Sequence, residues 1–229
     1  MCKLAISLLE MDYQCLGSEL KKAEKAGIDL IHIDVMDGSF VPSLGIGPKL
    51  IERIRPATSK QFDVHMMVNE PGRFVKRIVE AGADTVVVHY EACRDLMDTL
   101  LYIKSFGVKA GIALCPETSC DVLKREYIRK ADVIHLMTTP PGMEGQKFIP
   151  DSLNKIRYLR QRIDSFAEDC DIEVDGNITM ENAYSVAEAG ATVLVAGRAL
   201  ARGNMADNIR RLRMITQKAG EEYEVCNWN

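Results

Sequence analysis

One phrase recurs along the chain and limits its folds more than any other feature. It reads Ala26-Gly27-Ile28-Asp29-Leu30-Ile31-His32, then Ala81-Gly82-Ala83-Asp84-Thr85-Val86-Val87, then Ala189-Gly190-Ala191-Thr192-Val193-Leu194-Val195. Each copy follows an amphipathic stretch, and its Gly falls where a helix closes on a left-handed residue before a β-branched run begins. The phrase is therefore a helix-to-strand joint, and Phe106-Gly107-Val108-Lys109 is a looser fourth copy. Filling the gaps predicts strands near 4–7, 29–34, 61–65, 84–89, 108–113, 132–137, 171–175 and 192–196. Helices are predicted near 17–26, 48–55, 72–80, 94–105, 119–126, 152–165, 180–188 and 205–217.

Strands alternating with helices mean right-handed crossovers and a parallel sheet, which either stays open or closes into a barrel. Val86-Val87-Val88 and Val193-Leu194-Val195 are apolar throughout, as expected of strands covered on both faces, and eight units is the number at which a barrel closes. No G-x-G-x-x-G follows the first strand, so the usual open-sheet dinucleotide fingerprint is missing. The 229 residues show no linker or low-complexity tract, which predicts a single domain over 1–229 with a polar C-terminal tail from about 218.

Charge narrows the partners. Lys and Arg number 29 against 33 Asp and Glu, a net −4, and no basic stripe is present, so nucleic acid is not an expected partner. Seven cysteines form no C-x-x-C pair, which argues against a disulfide framework or zinc knuckle and for a reducing compartment. The apolar runs are too short for a signal-peptide core or a membrane span, which predicts a cytoplasmic protein without a membrane partner.

In a closed α/β barrel, strand C-termini and the loops after them face one mouth. The polar groups the sequence sends there are Ser7, His32, Asp34, His65, His89 and Asp175. His32 and Asp34 are two apart on one strand and so share a face. Asp63 and His65 repeat the spacing, with Asp63 one layer deeper and only His65 expected as a ligand. Two imidazoles and two carboxylates suit Zn²⁺, Mn²⁺, Fe²⁺ or Co²⁺. A lone strand histidine is more often a satisfied core residue, and His89 is read that way. Asp34 and Asp175, however, would cost several kcal/mol to bury unpaired, and a cation between them removes that cost.

Pro141-Gly142-Met143-Glu144-Gly145-Gln146 after the sixth strand, with Gly176 and Gly197 after the next two, could cradle an anion on backbone N–H groups, and Arg198 adds a cation. No lysine falls at a strand C-terminus, since Lys109 lies near the start of the fifth strand, so Schiff-base aldolase chemistry is disfavoured. Cys115 reads as a small buried hydrophobe.

His32-Ile33-Asp34-Val35-Met36-Asp37-Gly38 with Phe40-Val41-Pro42, Asp63-Val64-His65-Met66-Met67-Val68, Met137-Thr138 leading to Pro141-Gly142, Gly145-Gln146-Lys147-Phe148-Ile149 and Glu173-Val174-Asp175-Gly176 resemble the ribulose-phosphate 3-epimerase family. That family also includes the allulose-6-phosphate 3-epimerases. The resemblance runs along nearly the whole chain and implies an α/β fold, a single (β/α)8 TIM barrel.

It further implies an isomerase of carbohydrate metabolism, a homo-oligomer with one divalent metal ion on His32, Asp34, His65 and Asp175. Asp34 and Asp175 would also act as acid and base on opposite faces of a ketose phosphate. Ser7, His65 and Asp175 would contact the sugar, and the phosphate would lie on Gly142, Met143, Glu144, Gly145, Gly176, Asn177, Gly197 and Arg198. Met36, Met67 and Met137 would cap the reacting centre. Epimerisation at C3 needs a proton removed from one face and returned to the other, which two carboxylates can do and one base cannot easily do. The leading substrate pair is D-ribulose 5-phosphate and D-xylulose 5-phosphate, ahead of D-allulose 6-phosphate and D-fructose 6-phosphate. A phosphate-binding barrel lyase or a catalytically silent sugar-phosphate binder is a more distant reading. The chain departs from the family pattern at Ile6, Glu144, Asn177 and Arg198. Glu144 beside a phosphate must point away or pair with Arg198.

Overall fold

The computed structural model describes residues 2–166 and 168–226. The first half of the chain forms β1 (Lys3–Ser7), α1 (Leu16–Lys25), β2 (Leu30–Met36), α2 (Pro48–Ile54), β3 (Gln61–Met67), α3 (Val75–Glu80), β4 (Thr85–His89) and α4 (Leu96–Lys104). The second half forms β5 (Lys109–Leu114), α5 (Arg125–Lys130), β6 (Val133–Met137), α6 (Ser152–Phe166), β7 (Asp171–Asp175), α7 (Ala183–Glu188), β8 (Val193–Ala196), α8 (Arg198–Ala201) and α9 (Met205–Cys226). The strands pair in parallel and in sequence order, and β1 pairs with β8 to close a barrel, the (β/α)8 fold.

The repeated phrase does what its spacing predicts. Gly27, Gly82, Gly107 and Gly190 all have positive φ, and the residue after the glycine bonds back across the helix end in three copies: Ile28 N–H to Ala23 C=O, Ala83 to Ile78 and Ala191 to Val186. These are Schellman closures, which turn each helix directly into the next strand. The Asp or Thr that follows then ties the barrel's lower rim. Asp29 accepts the N–H of Leu4, Asp84 that of Phe62, and the Thr192 hydroxyl oxygen that of Ile172.

Several boundaries differ from the sequence expectation. The helix expected over 119–126 is a 3-10 turn at Cys120–Val122 followed by α5. Arg162 on α6 donates to the carbonyls of Cys120 and Leu123, so these groups have partners without a continuous helix. The stretch over 72–80 opens as a 3-10 turn at Pro71–Arg73, α7 begins at Ala183, and α8 was not expected. The polar segment from 218 continues α9 to Cys226, and 227–229 lie outside the described residues.

The main apolar core lies between strands and helices, with Leu4, Ile33, Phe62, Val86, Ile112, Ile134 and Leu194 fully buried in it. The barrel interior is different. It holds two small apolar groups, Ala5 with Val193 and Val195, and Val87 with Ala113 and Val133. It also holds Asp63, Glu173 and all four histidines of the chain, each essentially fully buried. Branched aliphatics usually fill those layers; here imidazoles and carboxylates occupy them beneath the mouth.

Candidate active site

Strand register assembles the site. Pairing of β2 with β3 sets His32 beside Asp63 and Asp34 beside His65, and pairing of β6 with β7 sets His135 beside Glu173 and Met137 beside Asp175. Three of these four couples join an imidazole to a carboxylate, and the fourth sets a methionine beside one. His32, Asp34, His65 and Asp175 each offer a donor atom within 4.8 Å of the others. These are the four residues the sequence selects.

Asp63 fixes His32. Its Oδ2 lies 2.6 Å from His32 Nδ1, while His32 Nε2 lies 3.4 Å from Asp34 Oδ1 and 3.8 Å from Asp175 Oδ2. That Nε2 is buried and has no hydrogen-bond partner. A buried ring nitrogen left bare between two carboxylates fits a divalent cation, which would take its lone pair and both negative charges. Asp34 also faces His65 Nδ1 at 3.3 Å and accepts from the Ser7 hydroxyl at 3.1 Å.

The electrostatics separate the two carboxylates. Burial pushes Asp34 up, but His32 and His65 outweigh it and hold Asp34 well below the usual range. Burial pushes Asp175 up to about 7, helped by the charge of Asp34. His32 is raised because Asp34 and Asp63 outweigh its burial, whereas burial lowers His65 to about 4. Without a cation the two carboxylates are thus driven apart, Asp34 held as an anion and Asp175 toward its protonated form.

Sequence reasoning missed His135 and Glu173. His135 Nδ1 lies 2.6 Å from Glu173 Oε1, and its ring stacks on His32 with centroids 5.5 Å apart. Burial and the neighbouring histidines hold His135 well below the usual range, and burial raises Glu173. The available signal was the spacing His135-x-Met137, which repeats His65-x-Met67.

A cavity of about 360 Å³ opens above this cluster. Ser7, Asp34, Met36, Met67, Met137 and Asp175 line one part, and Gly142, Met143, Glu144, Gly145, Gly176, Asn177, Gly197 and Arg198 another. His65 does not line it; it lies buried behind Asp34. Met36 and Met67 pack with Val41 and Phe40, beneath the loop that Asp37 ties down by accepting from the N–H groups of Ser39, Phe40 and Asn69. Asn177 has φ 53°, which Asn tolerates better than most side chains. Of the two arrangements open to Glu144, pairing with Arg198 does not form, since Arg198 Nε lies 3.2 Å from Glu10 Oε1 and Glu144 is exposed. Glu10 was not selected from sequence because only barrel closure brings it to β8.

The sequence profile of the ribulose-phosphate 3 epimerase family matches residues 3–201. The chain is 47% identical over 201 residues to the ribulose-phosphate 3-epimerase of Bacillus subtilis, covering 87% of this chain and 92% of that one. To that of Chlamydia muridarum it is 43% identical over 222 residues, covering 96% of each chain. To that of Escherichia coli it is 41% identical, covering 86% of this chain and 88% of that one. Among solved structures, 3-hexulose-6-phosphate synthase from Salmonella typhimurium superposes with a TM-score of 0.71 at 19% identity, over 95% of this chain and 99% of that one, a likeness of fold alone.

Proposed function

Because the chain belongs to the ribulose-phosphate 3-epimerase family, we propose that this epimerase interconverts D-ribulose 5-phosphate and D-xylulose 5-phosphate. The observation that carries the reading is the pair Asp34 and Asp175. They come from β2 and β7, meet beside His32 Nε2, and line a cavity whose other part is glycine-rich loops.

The ketose phosphate binds with its phosphate on the backbone N–H groups of Gly142, Gly145, Gly176, Asn177 and Gly197 and on Arg198. Its C2 and C3 then lie at Ser7, Asp34 and Asp175, under Met36, Met67 and Met137. One carboxylate takes the C3 proton and the other returns a proton to the opposite face of the planar enediolate. Asp34 and Asp175, on opposite sides of the reacting carbon, act as base and acid in one direction and exchange those roles in the other. The methionines keep water away from the carbanionic centre without offering a competing proton.

His32, Asp34, His65 and Asp175 hold one divalent ion, Zn²⁺, Mn²⁺, Fe²⁺ or Co²⁺. When bound, it supplies fixed positive charge that stabilises negative charge developing on the substrate. The same proposal takes the chain as one cytoplasmic domain and as a homo-oligomer. Among the described residues no helix is long and apolar enough to cross a membrane, and six described cysteines are free thiols, which supports a reducing compartment.

Solvent exchange tests the reading. In D₂O with added Mn²⁺, Co²⁺ or Zn²⁺, deuterium should enter C3 of D-ribulose 5-phosphate. Faster entry into D-allulose 6-phosphate would move the substrate to the six-carbon ketose phosphate. No entry into either would end the epimerase reading of this site.

A further inference from the structure

His65 turns only one ring nitrogen toward the quartet. Its Nδ1 lies 3.3 Å from Asp34 Oδ1, while its Nε2 lies 2.9 Å from Nε2 of His89. His89 ends β4, fully buried, with the Phe40 ring against it at 4.7 Å between centroids. The other nitrogen of His89, Nδ1, lies 3.1 Å from Glu91 Oε2 and 3.6 Å from Cys115 Sγ. The second oxygen of Glu91, Oε1, accepts from the Cys115 backbone N–H at 2.8 Å and from the Thr118 hydroxyl. A chain of polar contacts thus runs from Asp34 through two imidazoles to one carboxylate.

When His65 gives its Nδ1 lone pair to a divalent cation, the contacts leave one placing of protons. Two imidazole nitrogens 2.9 Å apart share one proton, so one donates and the other accepts. Burial pushes Glu91 up, but hydrogen bonds from His89, Thr118 and the Cys115 N–H outweigh it and hold the carboxyl at about 2, an anion. An anion at Oε2 requires a donor on His89 Nδ1. With its Nδ1 on a cation, His65 carries its proton on Nε2 and donates it, so His89 accepts at Nε2 and turns its own proton from Nδ1 to Glu91. The opposite order would set the lone pair of His89 Nδ1 against a carboxylate and put a proton on the His65 nitrogen that the cation needs.

We propose that His89 and Glu91 are positioning residues that fix His65 as the Nε2–H tautomer and hold its Nδ1 lone pair ready for a divalent cation. This rests on the metal reading above and extends it beyond the four ligands. It also replaces the sequence reading of His89 as an ordinary core residue. Asp63 does the same for His32 in one step, and Glu91 does it for His65 in two. Cys115 is not a ligand in this scheme, since burial and nearby Glu91 push its thiol up to about 12.

Glu91→Gln tests the idea because it keeps the shape and inverts the chain. The carboxamide oxygen must take the Oε1 position, where the Cys115 N–H and the Thr118 hydroxyl both donate. The NH₂ group then faces His89 Nδ1, His89 carries its proton on Nε2, and His65 carries its proton on Nδ1. Two measurements on the full-length protein read this out without turnover. Zinc titration against a chromophoric chelator should show about 10- to 100-fold weaker binding in Glu91→Gln. Imidazole ¹⁵N shifts should place the protons of the unsubstituted zinc-loaded protein on His89 Nδ1 and His65 Nε2.

Zinc binding in Glu91→Gln within twofold of the unsubstituted protein would overturn the proposal while leaving the metal reading intact. So would a proton on His89 Nε2 in the unsubstituted zinc-loaded protein, a result that stands even if the variant does not fold. Failure of the unsubstituted protein to bind zinc at all would remove the metal reading, and this proposal with it.

Discussion

Asp63 lies 2.6 Å from Nδ1 of His32, both side chains buried and paired across β2 and β3 by register. The contact leaves Nε2 as the free nitrogen and raises the basicity of the ring, as carboxylates behind metal-binding histidines do. Asp63→Asn is therefore expected to weaken zinc binding by about 10- to 100-fold while leaving the four ligands in place. Chelator competition measures it, and unchanged affinity would make Asp63 a packing residue only.

The two-carboxylate mechanism predicts that Asp34→Asn and Asp175→Asn each lower the exchange rate at C3 by about 10²- to 10⁴-fold. The assay is run in excess Mn²⁺ because each substitution also removes a ligand. Recovery of the full rate in excess metal would leave these residues as ligands and no more.

Much of the barrel was legible because four helix-to-strand joints carry their own signal, a left-handed Gly at 27, 82, 107 or 190 leading into a strand, and need no distant residue. The metal quartet was legible for a similar reason, since spacing of two on a strand puts His32 and Asp34 on one face. His135 and Glu173 were not, because each looks like an isolated strand residue until β6 and β7 pair in register. Glu10 and Arg198, far apart in sequence, meet only because β1 closes on β8. The relay from His65 to Glu91 was hidden because it depends on ring orientation, which spacing does not encode.

Metal binding should depend on pH with a definite sign. Burial pushes Asp175 up to about 7, and Asp34 and Asp63 raise His32 despite its burial. Without a cation Asp175 holds a proton below about pH 7, which a divalent ion must displace, and the raised His32 competes in the same direction. Affinity is therefore expected to rise as pH rises, by about tenfold per unit for each proton displaced, and the share due to Asp175 should level off above about pH 7. Titrations between about pH 5 and 8 measure the slope; a flat profile would mean that Asp175 and His32 are already deprotonated in the metal-free protein.

Gly176 is held where no side chain fits. Its φ is 121°, and an added Cβ would lie 2.7 Å from the Thr139 nitrogen and from both threonine hydroxyls at 138 and 139. Thr138 cannot move freely, since its hydroxyl donates to the carbonyls of Asp175 and Gly176. Gly176→Ala is expected to cost about 3 kcal/mol or more, lowering Tm by about 6 °C or more. Gly145, with φ 72° and nothing within 4 Å of an added Cβ, bears only the left-handed penalty of about 1 to 2 kcal/mol. Equal losses in the two variants, read by thermal melts, would mean that the Thr138 and Thr139 contacts yield.

Arg198 and Glu10 give the last test, at the phosphate corner. Their side chains are 45% and 28% exposed, so the pair adds at most about 1 kcal/mol to stability. Its consequence lies in binding. A phosphate at Gly197 must draw Arg198 away from Glu10 or share it, and the Glu10 carboxylate repels the dianion in either case. Arg198→Ala removes a charge-assisted contact of about 1.5 to 3 kcal/mol and should raise KM by about 10- to 100-fold with little change in kcat, since such an interaction is the same in ground and transition states. Glu10→Gln should act the other way, lowering KM several-fold by freeing the guanidinium and removing a like charge. A Glu10→Gln variant with higher KM would mean that Glu10 is needed to aim Arg198 at the phosphate, and that the pair works as a unit.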